Sequence, residues 1–154
     1  MKKLLWTLTL LWLGVLFRIT VFRNGCFSHG LFSGRIEWRA FAYYLELARR
    51  GNWRYFSYLF VGNLIWFAPA GFLTRLRGGR LRQAVLGGFL LSLFVETCQF
   101  VLGSGVSELD DLILNTCGAI LGWVLACLLQ GGIRKSQKTV QRISGEQGDR
   151  RREE

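Results

Sequence analysis

Four long apolar stretches constrain this chain more than any other feature. A bilayer's hydrocarbon core is about 30 Å thick and takes roughly 20 predominantly apolar residues of helix to cross, at about 1.5 Å rise each. Leu4 to Phe22, Tyr55 to Leu73, Leu81 to Leu102 and Leu109 to Leu129 all approach that length. A soluble domain of 154 residues would need a polar face on each of its helices, and several of these stretches have none. The hydrophobic share, 51%, is close to ordinary; what matters is that charge is segregated between the apolar blocks. That pattern excludes disorder, coiled coil, collagen-like repeats and a disulfide-stapled miniprotein. The expected fold is all-α: a polytopic membrane protein of four transmembrane helices, with an interfacial amphipathic helix in the first external loop.

Four units follow. Residues 1–22 form the first span, 23–54 an external loop rich in Arg and aromatics, 55–130 a core of three spans, and 131–154 a disordered cytoplasmic tail. Met1-Lys2-Lys3 before an apolar run also fits a signal peptide, but Arg18 to Asn24 is bulky and basic and offers no small-residue cleavage site. A retained anchor is therefore expected. Placing both termini in the cytoplasm puts 13 Lys and Arg inside and six, all in residues 23–54, outside. Within that loop Ile36, Phe41, Leu45 and Ala48 fall near helical spacing, so Arg35 to Arg50 is expected to lie as a helix in the interface. Trp38, Tyr43, Tyr44 and Trp53 suit a membrane–water boundary. Arg39, Arg49 and Arg50 then serve either as lipid-phosphate anchors or as a cationic rim that collects an anionic ligand.

Ionisable residues inside a bilayer cost about 2.5–3.5 kcal/mol on insertion scales, so they face a protein interior, a partner or water. Ser92, Glu96 and Gln99 share one face of the third span; Asp111, Asn115, Gly118 and Gly122 share one face of the fourth. At about 1.5 Å per residue, Glu96 and Asn115 lie roughly 9 Å below the outer end of their spans, and Asn63 roughly 12 Å. The short turn between spans three and four makes them antiparallel neighbours, so these polar groups are expected to converge in the outer half. Asp110 and Asp111 lie near the mouth, where capping of the fourth helix is an equal explanation for Asp110. Asn63, Ser92, Gln99 and Asn115 also fit plain interhelical hydrogen-bonding, and Gly118 and Gly122 fit close helix packing. Glu96 has no comparably bland role.

At these residues the sequence resembles the VanZ-like family of bacterial membrane proteins. Asn63-Leu-Ile-Trp-Phe67-Ala-Pro69-Ala-Gly71 is similar to the family's N-x-x-x-F-x-P-x-G, and Ser92-x-x-x-Glu96-x-x-Gln99 to its S-x-x-x-E-x-x-Q. Asp110-Asp111-Leu-Ile-Leu-Asn115, running on to Gly118 and Gly122, is similar to its D-D-[LV]-I-x-N-x-x-G-x-x-x-G. Two positions depart: Gly105 stands where the family usually carries Arg, and Glu108 replaces an Asp. The resemblance implies a role in the cell envelope of a bacterium, in the context of resistance to teicoplanin, a glycopeptide antibiotic. It implies no enzymatic mechanism.

The leading reading is a polar pocket in the outer half of the membrane. It would bind an anionic lipid-linked envelope precursor or a glycopeptide, with Glu96 central, Asn63, Gln99 and Asn115 orienting, and Asp111 at the mouth. In a second, enzymatic reading Glu96 and Asp111 act as general acid and base. A third is a non-catalytic structural protein in which Gly118 and Gly122 set a dimer; the oligomeric state stays open. No metal site or cofactor is expected: His29 is the single histidine, and no nucleotide fingerprint is present. Cysteines 98, 117 and 127 fall within spans as small packing residues, with Cys26 in the loop. The charge of +10 flanks membrane spans, so membrane lipid is the expected partner rather than nucleic acid.

Overall fold

A computed structural model describes residues 2–22 and 30–153. His29 and Cys26 lie outside the described residues. The order is α1 (Lys2–Thr20), β1 (Arg35–Glu37), α2 (Ala42–Arg49), α3 (Trp53–Leu76), α4 (Leu81–Val101), β2 (Val106–Glu108) and α5 (Leu109–Glu153). Among the described residues four helical stretches are long and apolar enough to cross a membrane: Lys3–Thr20, Trp53–Leu76, Leu81–Val101 and Leu109–Ile133. They coincide with the four apolar stretches of the sequence to within about a turn.

Local chemistry sets the ends. Asn52 caps α3 by accepting the Tyr55 amide on its side-chain oxygen, 3.3 Å away, which satisfies one of the amides a helix start leaves orphaned. At the other end Gly78 takes φ +83°, a conformation glycine adopts without steric cost. The Gly79 amide then folds back 2.9 Å onto the Thr74 carbonyl. Gln83 starts α4 by accepting the Arg80 amide at 2.7 Å.

The bundle is inverted relative to a soluble protein. Leu86, Leu90, Phe94, Leu121, Leu125 and Leu128 are exposed, while Ser92, Glu96, Asp110 and Asn115 are buried. Surroundings as apolar as leucine remove the penalty on the first group and make burial of the second necessary. A small apolar core gathers Leu16 and Val21 near the end of α1, Phe67 of α3 and Val95 of α4.

The principal seam runs between the parallel helices α3 and α5. A Cβ on Gly118 would strike the Leu64 carbonyl, one on Gly122 the Ala68 carbonyl, and one on Gly71 the Ala119 carbonyl. Backbone therefore meets backbone. The small-residue pair Gly118 and Gly122, open in the sequence to a dimer reading, is occupied by α3 of the same chain. α1 is peripheral. Its Trp12 indole donates to the Trp66 carbonyl at 3.0 Å. Arg77, just past α3, donates to the Leu5 carbonyl at 3.0 Å and to the Thr9 hydroxyl, with its guanidinium 4.7 Å from the Trp6 ring centre.

Two expectations need correction. The helix expected over Arg35 to Arg50 forms only at Ala42–Arg49. Its first residues are instead a strand, paired in parallel with β2 in the register Arg35↔Val106, Ile36↔Ser107 and Glu37↔Glu108. The cause lies at the end of α4, whose last carbonyls have no helical partner. The Phe32 amide donates to Val101 at 2.9 Å and the Gly34 amide to Phe100 at 3.1 Å, which draws the chain out straight. The tail expected to be disordered continues α5 as helix to Glu153. Propagation from an already formed span needs no new nucleus, and no proline interrupts residues 131–153.

Candidate functional site

The strand-bearing end of the bundle holds the carboxyl groups that the apolar spans carry: Glu96, Asp110 and Asp111. Helical spacing turns Ser92 and Glu96 of α4 toward Asp111 and Asn115 of α5, and α3 brings Asn63 alongside. Asn115 donates its amide to the Ser92 hydroxyl at 2.9 Å, both residues being almost fully buried. Asn63 donates to the Asp111 carboxylate and, at 3.4 Å, to the Tyr44 hydroxyl. Three helices of the bundle and the short α2 are thus joined by side-chain amides.

Glu96 is 8% exposed. Its carboxylate accepts the Glu108 amide at 2.9 Å, while its own backbone carbonyl accepts the Ser107 hydroxyl at 2.7 Å. The strand β2 therefore folds over the end of α4 and clasps this residue twice. Asp111, Glu108 and Asp110 lie near enough for their charges to act on Glu96.

The remaining expected site residues divide. Asp110 is 2% exposed rather than at an open mouth, and its Oδ1 has no hydrogen-bond partner among the described residues. Gln99 turns away from Glu96 and donates to the Thr20 carbonyl of α1 at 3.3 Å; i, i+3 spacing leaves it about 60° round the helix from Glu96, enough to serve the neighbouring helix. The three arginines do not ring Glu96. Arg39 binds Glu37 at 3.2 Å and Arg50 binds Glu46 at 2.6 Å, and all three line shallow grooves beside α2. Asn63, Ser92, Glu96, Asp111 and Asn115 line neither groove.

Three participants have no helical-spacing signal. Ser107 and Glu108 come from a three-residue strand, and Tyr44 reads in sequence as an interface aromatic. Tyr44 is held over α3 by edge-to-face contacts with Phe56 and Phe60, at 5.4 and 6.0 Å between ring centres. Burial, and then the charges of Asp111 and Asp110, push its hydroxyl above the usual range for a phenol, so it stays protonated. Glu108 is pushed up to about 7, first by burial and then by the charges of Asp111, Asp110 and Glu37.

Among the described residues no group of three or more Cys, His, Asp or Glu has the geometry to hold a metal ion. What the arrangement offers chemically is a cluster of carboxyls held by amide donors at one end of a membrane-spanning bundle. No curated protein and no solved structure matches the chain significantly. The VanZ/LLP1 family profile matches residues 4–130, which takes in the whole polar cluster. Asn63, Glu96 and Asp111 thus lie inside the matched region as well as inside one connected set of contacts, and the chain belongs to the VanZ/LLP1 family of membrane proteins.

Proposed function

We propose that this protein acts in the bacterial cell envelope, with its strand-bearing end facing outward and both termini in the cytoplasm. There it engages a polar lipid-linked precursor, or a glycopeptide that competes for one, and so lowers susceptibility to teicoplanin-type antibiotics. The observation that carries this reading is Glu96: an ionisable side chain inside a span, buried, and clasped by β2 rather than turned to lipid. Retaining such a group in an apolar bundle costs stability, and function is the usual reason it persists. Membership of the VanZ/LLP1 family is consistent with that envelope role.

Glu96→Gln keeps the shape and the acceptor oxygen but removes the charge. In a glycopeptide-sensitive host, with membrane abundance matched, this variant is expected to lose most of the protection conferred by the parent chain. Undiminished protection at equal abundance overturns the reading. A second reading is favoured by the proximity of Glu96 and Asp111, whose charges interact: the pair would act as general acid and base on a lipid-linked substrate. In that case Asp111→Asn abolishes turnover of the precursor while leaving its binding in place.

A further inference from the structure

The groove beside α2 carries both signs of charge. It has a volume of about 470 Å³ and is lined by Glu37, Arg39, Ala42, Tyr43, Leu45 and Arg49. Arg39 spends only its Nε and backbone amide on Glu37, both on the Oε1 oxygen, at 3.2 and 3.0 Å. Its two terminal nitrogens and the second oxygen of Glu37 have no hydrogen-bond partner among the described residues. Arg49 is exposed and forms no ion pair among the described residues. Behind Glu37 stands Glu108, its partner in the strand register. Like charges placed directly opposite in a sheet repel, and Glu37 indeed acts on Glu108. The groove thus holds one carboxylate, Glu37, beside two cations, with Glu108 next to it in the strand register but outside the lining. Around it Trp38, Tyr43 and Leu45 are exposed, as suits the level of lipid headgroups.

We propose that this groove binds a phosphoethanolamine group, its phosphate on Arg39 and Arg49 and its primary ammonium on the second oxygen of Glu37. A purely anionic headgroup satisfies the arginines and aggravates the paired carboxyls. A quaternary ammonium supplies the charge but no N–H donor. Only a zwitterion ending in a primary amine answers both halves. The same chemistry is carried by an aminophospholipid and by its soluble headgroup. The groove's lining includes no residue of the Glu96 cluster, although Glu108 adjoins both, and binding there does not rest on the role proposed for Glu96.

The test is native mass spectrometry of the full chain released from nanodiscs containing equal amounts of phosphatidylethanolamine, phosphatidylcholine and phosphatidylglycerol. Retention of phosphatidylethanolamine is expected to exceed each of the others by about fivefold, the scale of one or two exposed charge contacts. Glu37→Gln, at a half-buried strand end, is expected to bring phosphatidylethanolamine down to the phosphatidylcholine level. Arg49→Gln is expected to lower retention of all three. Displacement by soluble O-phosphoethanolamine identifies headgroup recognition alone; resistance to it identifies the lipid as the source. Equal retention of the three lipids, or preference for phosphatidylglycerol, overturns the proposal, as does an unchanged preference in Glu37→Gln.

Discussion

Gly122→Ala adds one methyl group where α5 lies against the Ala68 carbonyl of α3, and the new Cβ would overlap that oxygen. A flexible side chain could swing aside; a helix carbonyl cannot. The two helices must separate by roughly 1 Å or more to restore an ordinary contact, and a gap of that size forfeits about a quarter to a half of each dispersion well along the seam. Lipid surroundings supply no hydrophobic drive to compensate, because packing itself is what holds membrane helices together. Overpacking costs typically 1–3 kcal/mol, and backbone against backbone places this case at about 3 kcal/mol. Gly62→Ala is the control, since a Cβ there meets nothing within 4 Å and is expected to be neutral or stabilising by up to about 1 kcal/mol. Unfolding free energies of both variants, followed by circular dichroism during detergent-driven denaturation, should differ by about 3–4 kcal/mol, a factor of several hundred in the equilibrium. If Gly122→Ala falls within about 0.5 kcal/mol of Gly62→Ala, the scatter of neutral surface changes, the account of the seam is wrong.

Two further perturbations read other parts of the molecule. Glu108 holds its proton up to about pH 7 when folded and loses it near 4.5 when unfolded. Its contribution to stability is therefore full below pH 4.5 and is lost as pH rises through about 7. Glu108→Gln should remove that slope, a difference of about 1 kcal/mol given that water reaches the carboxyl; parallel pH profiles for the two proteins would contradict it. Arg77→Ala removes the hydrogen bonds to Leu5 and Thr9 and the stacking on Trp6 that hold the first half of α1. Hydrogen exchange should then quicken in residues 3–12 while α3 and α5 keep their protection, and an unaltered exchange pattern in α1 would show that Arg77 is not the tether.

The spans were legible because their signal is local: twenty apolar residues announce a helix without help from anything distant. The facing of Ser92 and Glu96 toward Asn115 and Asp111 was legible for the same reason, since helical spacing fixes which side chains share a face. The clasp on Glu96 was not. It depends on β1 and β2, three residues each and 71 positions apart, and no periodicity exists in so short a segment. The α2 region misled for a related reason. Ile36, Phe41, Leu45 and Ala48 do fall at helical intervals, yet unfilled carbonyls at the end of α4 outcompeted that weak preference over residues 35–37. Gln99 shows the limit within a single helix: it shares a nominal face with Glu96 but answers to α1.

Where Gly71, Gly118 and Gly122 bring α3 and α5 together, there are no side chains to change rotamer and no slack to absorb a shift. Those two helices can travel only as one body, like rails cast in a single piece. Any rearrangement that accompanies activity must therefore fall to the parts held by side chains, above all the first helix, which hangs on Arg77, Gln99, two indoles and the small core around Leu16. That assigns the still and the moving portions of this membrane protein before any second conformation has been seen.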